Sequence, residues 1–382
     1  MALSELEPNW SWLFDEVVPA HVKRAYSPRE AWRARPFTRQ DAIFQIKAIR
    51  ELSTRLTVER VSAGGRPQSK GYLEQARFRA AYLLYFLPLQ AAKFAQLLNE
   101  HAAAVHAAIA DGERRGTMVI ADLGAGPGTA SIALLLELAR RSARGKRIPS
   151  TVMHWFDQER RILNDGIEIA SALIERVPSL RGHVRIERHV EAWAEAPRAI
   201  PESWSLAFLG HTLNEGRTPP AAVWKRLLDR CARGGGLLVV EPASKGNAQR
   251  LSRVRDELVA TGTIPADSTA FWGPCLHAGG CPLAEGRDWC HLSVPAQIPG
   301  QWFAFFSRGL GSERSWLKYS YLWLTAAGDP SPEPAPRVRR VVSDPLRKTG
   351  GAELLLCEPE RVARVRASGS KRVGRGDLFT LA

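Results

Sequence analysis

The chain has 382 residues, of which 45% are hydrophobic and 24% charged, so it can bury one large core or two ordinary ones. This excludes a small disulfide-stapled scaffold and wholesale disorder. Lys plus Arg outnumber Asp plus Glu by 53 to 39, a formal charge of +14 that points to a polyanionic partner, nucleic acid before membrane surface.

The start, MALSELEPNWSW, is acidic and carries tryptophan where a secretory signal would be basic and then apolar. The longest apolar run, Ala80 to Leu89, is about half of the roughly 20 residues a membrane span needs. The expected location is therefore cytoplasmic, without a membrane partner. Five cysteines are too few for a secreted disulfide framework, so a clustered subset is expected to bind metal.

Residues 1–115 read as a helical region. Apolar residues recur at helical spacing in Tyr72, Leu73, Ala76, Ala80, Leu83, Leu84 and Phe86, and Pro88 is expected to break the helix before a second one through Leu97 and Leu98. Arg77 and Arg79 are expected on its solvated face.

From Thr117 short apolar runs alternate with helical stretches. Thr117 to Ala121, Thr151 to Phe156, Val184 to Ile186, Leu206 to Leu209 and Leu237 to Val240 read as strands of a parallel α/β sheet, giving a core over 116–262. Cys231 falls in a predicted helix ahead of the Gly234 to Gly236 turn, as a small buried residue. Periodicity is then lost over 263–295, an insertion with three cysteines among Gly, Pro and Trp. Phe303 to Phe306 and Tyr319 to Thr325 read as completing strands within 296–328. The segment 329–336 (DPSPEPAP) reads as a stiff linker, and 337–382 as a basic module. Between Arg337 and Arg375 that module holds eleven basic and four acidic residues, with strands expected at Val338 to Val342, Glu353 to Leu356 and Arg361 to Val365. No internal repeat is present.

Ile120-Ala-Asp-Leu-Gly-Ala-Gly-Pro-Gly-Thr129 follows a predicted strand and opens a predicted helix. Gly124, Gly126 and Gly128 let the backbone turn and approach a ligand without a Cβ in the way. A dinucleotide fingerprint would have its third glycine where Thr129 stands. The spacing, with Asp122 two residues ahead of Gly124, resembles motif I of class I S-adenosylmethionine (SAM) methyltransferases. That resemblance implies a Rossmann-like sheet and a SAM site. Asp122 suits the cofactor's ammonium, whereas it would repel a pyrophosphate. Asp157, at the end of the next strand, suits the ribose hydroxyls.

His211, Asn214 and Glu241 end the fourth and fifth predicted strands and are expected near the cleft. No catalytic residue is assigned. The Asn-Pro-Pro-aromatic loop of exocyclic-amine methyltransferases is missing, and no cysteine follows the fourth strand.

Cys275, Cys281 and Cys290 lie close together, and Cys357 is a fourth candidate ligand. Structural zinc usually uses pairs such as C-x2-C, which do not occur here, so four separated thiolates fit an iron-sulfur cluster better, with zinc, helped by His277 or His291, as the alternative.

Taken together, Tyr72-Leu73, Ala80-Ala81-Tyr82, the DLGAGPGTA loop, Gly210-His-Thr-Leu-Asn-Glu215, the cysteine segment ending in Asp288-Trp-Cys-His291, and Lys318-Tyr-Ser-Tyr321 resemble a known family from about residue 70 onward. It is the methyltransferase-like family associated with mitochondrial small ribosomal subunits, in its bacterial branch. The resemblance implies a 4Fe-4S cluster on Cys275, Cys281, Cys290 and Cys357, contact with small-subunit rRNA, and a role in ribosome assembly or translation. The expected function is SAM-dependent methyl transfer to rRNA or the small subunit. A non-catalytic rRNA-binding assembly factor and a small-molecule or protein methyltransferase with structural zinc are the alternatives.

Overall fold

The computed structural model describes residues 10–56, 71–200, 202–215, 218–264, 271–312, 315–325, 337–348, 351–367 and 373–381. The 329–336 linker lies outside them. Two compact units are present.

The first unit draws on Met1–Ala102, Gly112–Ala196 and Ala296–Ser315. Its helices include α1 (Val18–Tyr26), α2 (Arg39–Thr54), α3 (Ala76–Ala81) and α4 (Leu87–Glu100). Thr38 starts α2 with a capping box, its hydroxyl accepting from the Asp41 N–H while the Asp41 carboxylate accepts from the Thr38 N–H. Pro88 does not break the chain's helical course. A π-turn, Tyr82–Phe86, joins α3 to α4, and Pro88 sits in the first turn of α4, where a missing N–H costs little. Arg79 is not on a solvated face either. It is 6% exposed, donating to the carbonyls of Leu73 and Glu74 and to the hydroxyl of Tyr26 (3.0 Å), a partner 53 residues away that no local pattern could show.

The strands β1 (Met118–Leu123), β2 (Thr151–Phe156) and β3 (Val184–His189) run parallel in the order β3-β2-β1, with Met118 opposite Thr151 and Thr151 opposite Val184. β1 is buried along its whole length, as a strand covered on both faces must be. The crossovers are α5 (Thr129–Ala143) and α6 (Arg160–Arg176). The predicted Phe303 to Phe306 strand is instead part of a helix, Gln301–Gly309, burying Phe303 and Phe306 one turn apart. A four-residue apolar run fits either element, and the helical spacing of the two buried rings decided it.

The second unit draws on Ala103–Asp111, Pro197–Pro295 and Trp316–Ala382. In it β4 (Trp204–Gly210) pairs parallel with β5 (Cys231–Pro242), and the helices α7 (Ala221–Leu228) and α8 (Lys245–Ala260) flank β5 in sequence. Cys231 is the first residue of β5 and not helical. α7 ends at Leu228, and the Trp204 indole N–H meets the Cys231 sulfur at 3.1 Å, so pairing with β4 overrides the local helical pattern.

The short strands β6 (Phe271–Gly273) and β7 (Leu292–Pro295) both lie antiparallel on one side of β8 (Trp316–Thr325), whose other side pairs antiparallel with β5. β6 covers the Trp323–Leu324 end of β8 and β7 the Trp316–Tyr319 end. The cysteine segment bulges out between them. A second, antiparallel sheet follows, built from β9 (Val338–Val341), β10 (Leu346–Lys348), β11 (Gly351–Glu358), β12 (Arg361–Ala367) and β13 (Leu378–Thr380). Its core is Val341, Leu354 and Leu356, with Val365 and Phe379 packed on them. No helix among the described residues is long and apolar enough to cross a membrane.

Candidate functional site

The glycine loop of the first unit leaves β1 at Leu123 and enters α5 at Thr129. Gly124, Gly126 and Gly128 have φ of +70°, +54° and +71°, in the left-handed region where glycine is unstrained. Two carboxylates shape the loop. Asp122, 2% exposed, accepts from the Ser131 N–H (3.1 Å) and hydroxyl (2.7 Å), tying β1 to the start of α5. Burial, helped by the charge of Asp157, raises its pKa to about 6 against those two bonds. Asp157, just past β2, accepts from the Gly126 N–H and the Glu159 N–H, each at 2.8 Å. All five sequence-predicted cofactor residues thus meet at one loop.

The loop's two sides differ. A Cβ on Gly128 would lie 2.0 Å from the buried Trp155 ring, and one on Gly166 of α6 would lie 2.4 Å from the Pro127 backbone. At Gly126 a Cβ would meet nothing within 4 Å. The backbone is clamped from within and open at Gly126, where a ligand can reach it. Sequence reasoning missed Ser131, Trp155 and Gly166, none of which belongs to the glycine spacing.

His211, at φ +58°, and Asn214 belong to the turn after β4 in the second unit. Glu241, 1% exposed on β5, accepts from the Leu213 N–H at 2.8 Å and so holds that turn.

In the second unit Cys275, Cys281, Cys290 and Cys357 line a single cavity of about 40 Å³, together with Arg255, His277 and Arg340. Cys357 reaches it because residues alternate along β11: Leu354 and Leu356 face the small sheet's core, and Cys357, opposite Arg340 on β9, faces away from it. Cys290 is placed by its carbonyl, which accepts from the Ser320 hydroxyl of β8 (2.8 Å), and Cys281 by its N–H, which meets the Asp256 carboxylate at 3.2 Å. The His277 ring bonds the Gly279 carbonyl through Nδ1 (3.2 Å) and faces the Cys357 sulfur with Nε2 at 3.4 Å.

Burial pushes the Cys357 thiol up to about 12, helped by Cys275 and Cys281, and raises Cys290 for the same reasons, with Cys357 added. The thiols of Cys275, Cys290 and Cys357, packed this way, resist ionising together unless a cation joins them. Arg255 (1% exposed) and Arg340 (6% exposed) supply two fixed positive charges beside them. Arg255 donates to the His277 carbonyl and pairs with Asp256, and Arg340 donates to the carbonyls of Pro274 (3.2 Å) and Gly376 (2.7 Å). Cys231 does not line this cavity.

The cysteine segment and the small sheet also meet directly. The Glu360 N–H donates to the Gly280 carbonyl (3.0 Å), and a Cβ on Gly279 would lie 2.8 Å from Pro359. Arg375 pairs with Asp288 at 3.6 Å. Of the module's basic residues, Arg340 and Arg375 therefore turn inward, while Arg347, Arg361, Arg364 and Arg366 stay exposed.

Parallel strands joined by crossover helices, with a glycine loop between β1 and α5, define a Rossmann-like α/β protein. The description "Mitochondrial small ribosomal subunit Rsm22" matches residues 79–382, and the chain belongs to that family. Solved structures similar to it include an rRNA methylase from Streptococcus thermophilus (12% identity, 60% of this chain and 94% of that one, TM-score 0.31). Others are CrArsM, an arsenic(III) SAM methyltransferase from Chlamydomonas reinhardtii (13%, 69% and 79%, 0.32), and loganic acid methyltransferase with SAH (10%, 65% and 96%, 0.35). No curated protein matches. The family assignment rests on the sequence match over most of the chain.

Proposed function

We propose that this protein binds SAM at the glycine loop and acts on rRNA or the small ribosomal subunit, in the cytoplasm, as a methyltransferase-like factor in ribosome assembly or translation. Membership of a family named for the mitochondrial small ribosomal subunit carries the partner. The loop carries the cofactor: it is glycine at each turn, and open at Gly126 while braced elsewhere. When bound, SAM supplies an electrophilic methyl group. The residues' part is to position: Asp157 holds the loop through the Gly126 N–H and would accept from the ribose hydroxyls, and Asp122 ties β1 to the start of α5 and would favour the ammonium. Methyl transfer asks mainly for alignment of an acceptor with the sulfonium, so a dedicated base is not required.

The cysteine cavity is read as the seat of a 4Fe-4S cluster. A zinc ion with sulfur ligands at 2.3 Å needs them about 3.8 Å apart. Among the described residues no three of these cysteines bring their sulfurs within 4.8 Å of one another, a spread suited to a larger group. Such a cluster supplies four iron–thiolate bonds joining the cysteine segment to the small sheet. Arg255 and Arg340 offset its negative charge, and the exposed arginines of the module are the RNA contacts.

The test is crosslinking of the protein to RNA in cells, combined with mapping of rRNA methylation in a deletion strain. Crosslinks to small-subunit rRNA and one missing methyl group are expected. Crosslinks with methylation intact would make the protein a non-catalytic assembly factor, and no crosslinks would remove the ribosomal reading.

A further inference from the structure

We infer that His154, Glu187 and His189 form a binding site for one divalent transition-metal ion, zinc foremost, on the outer strand pair of the first unit's sheet. The β2–β3 register places Glu187 opposite His154 and His189 opposite Phe156, so all three side chains rise from one face. His154 Nδ1 lies 3.0 Å from His189 Nε2 and 3.3 Å from Glu187 Oε2. Among the described residues this is the one trio of His, Cys, Asp or Glu whose donor atoms all lie within 4.8 Å of one another.

The alternative to a cation here is one proton shared among three acceptors. His154 Nδ1 can carry one proton, yet it faces an imidazole nitrogen and a carboxylate oxygen together. Without that proton its lone pair points at a carboxylate. A cation among the three lone pairs removes the conflict. Zinc bonds of about 2.0–2.2 Å to nitrogen and oxygen put neighbouring donors roughly 3.0–3.5 Å apart, which matches the two distances from His154 Nδ1.

The surroundings orient the donors as metal sites require. The His189 ring stacks on Phe156 (centroids 4.2 Å apart, 8° between planes), and its Nδ1 faces Glu191 Oε1 at 3.6 Å. A carboxylate on the far side of a ligating imidazole favours the ring orientation that turns its other nitrogen to the metal. Glu187 Oε1 is held by Arg185 at 2.8 Å, which turns Oε2 toward the histidines. His154 is buried, while Glu187 and His189 are partly exposed, so an ion can reach the site from solvent. Two imidazoles and one carboxylate suit zinc, cobalt(II) or iron(II) in preference to magnesium or calcium. The His189 carbonyl accepts the Asp157 N–H at 3.2 Å, so the ion braces the strand end beside Asp157.

Cobalt(II), titrated into the full-length protein, tests this separately from the cysteines. At the histidine site it gives weak ligand-field bands, whereas thiolate ligation adds intense charge-transfer absorption. The expected result is a thiolate-free cobalt spectrum that zinc displaces, weakened at least about tenfold in His189→Asn and in Glu187→Gln. Both substitutions are at partly exposed positions that the fold tolerates, checked by circular dichroism. Glu191→Gln should weaken binding by a smaller factor. Cobalt spectra identical in the wild type and both variants, or thiolate charge transfer alone at saturation, would overturn the proposal.

Discussion

Replacing two glycines of the same loop separates what holds the loop from what serves a ligand. In Gly128→Ala the new Cβ must displace the Trp155 ring, 2.0 Å away and buried, at a φ of +71°. Left-handed backbone for a residue with a Cβ costs about 1–2 kcal/mol, and forcing a well-packed aromatic aside costs about 1–3 kcal/mol more. The sum, roughly 2–5 kcal/mol, is a large share of a typical folding stability. In Gly126→Leu only the backbone cost of about 1–2 kcal/mol applies, because the side chain enters open space. Denaturant unfolding and SAM calorimetry on both variants should therefore give opposite orders. Gly128→Ala should lose roughly 2–5 kcal/mol of stability, while its folded fraction still binds SAM. Gly126→Leu should stay folded and bind none. Wild-type stability in Gly128→Ala, or unchanged affinity in folded Gly126→Leu, would refute the reasoning.

Burial lifts Asp122 from 3.8 to about 6, so the folded chain holds this proton more tightly than the unfolded one. Its contribution to stability should fall as pH rises between those two values and stay lost above them, and Asp122→Asn, compared with the wild type across pH, should lack that fall. Anaerobically purified protein should carry about four irons and four sulfides, lost on changing Cys275, Cys281, Cys290 or Cys357 to serine and retained in Cys231→Ser. Iron and sulfide assays decide it, and stoichiometric zinc without iron would favour the other metal. Charge reversal at the exposed Arg361, Arg364 and Arg366 should weaken binding to small-subunit rRNA and lower the salt slope by about 0.9 for each phosphate no longer neutralised. Salt-insensitive binding would place the RNA-binding surface elsewhere.

What the sequence disclosed was local. β1, the glycine loop and α5 follow one another within a short stretch, and each carries its own signal: a buried apolar run, three glycines, an amphipathic repeat. Three strands of the small sheet, β9, β11 and β12, were legible for the same reason, whereas the three-residue strands β10 and β13 were not. What escaped depends on partners far along the chain. Arg79 reads as a solvated charge until Tyr26 is beside it, and Arg255 of α8 carries no mark that it will lie next to Cys275. Pro88 reads as a break because a π-turn ahead of it leaves no periodic trace. Phe303 and Phe306 were ambiguous because four apolar residues cannot distinguish a strand from one helical turn. The histidines of β2 and β3 are silent singly, since only the strand register brings them together.

The second unit's donor set has a consequence for the order of biosynthesis. Cys275, Cys281 and Cys290 emerge from the translating ribosome long before β11 delivers Cys357, and the first unit in turn waits for the Gln301–Gly309 helix. The nascent chain therefore carries three unclosed thiols through an interval in which neither unit is complete. On the cluster reading proposed above, the site closes only when Cys357 arrives, and stalled or truncated chains that stop before residue 357 should be the species most exposed to oxidation and quality-control proteolysis.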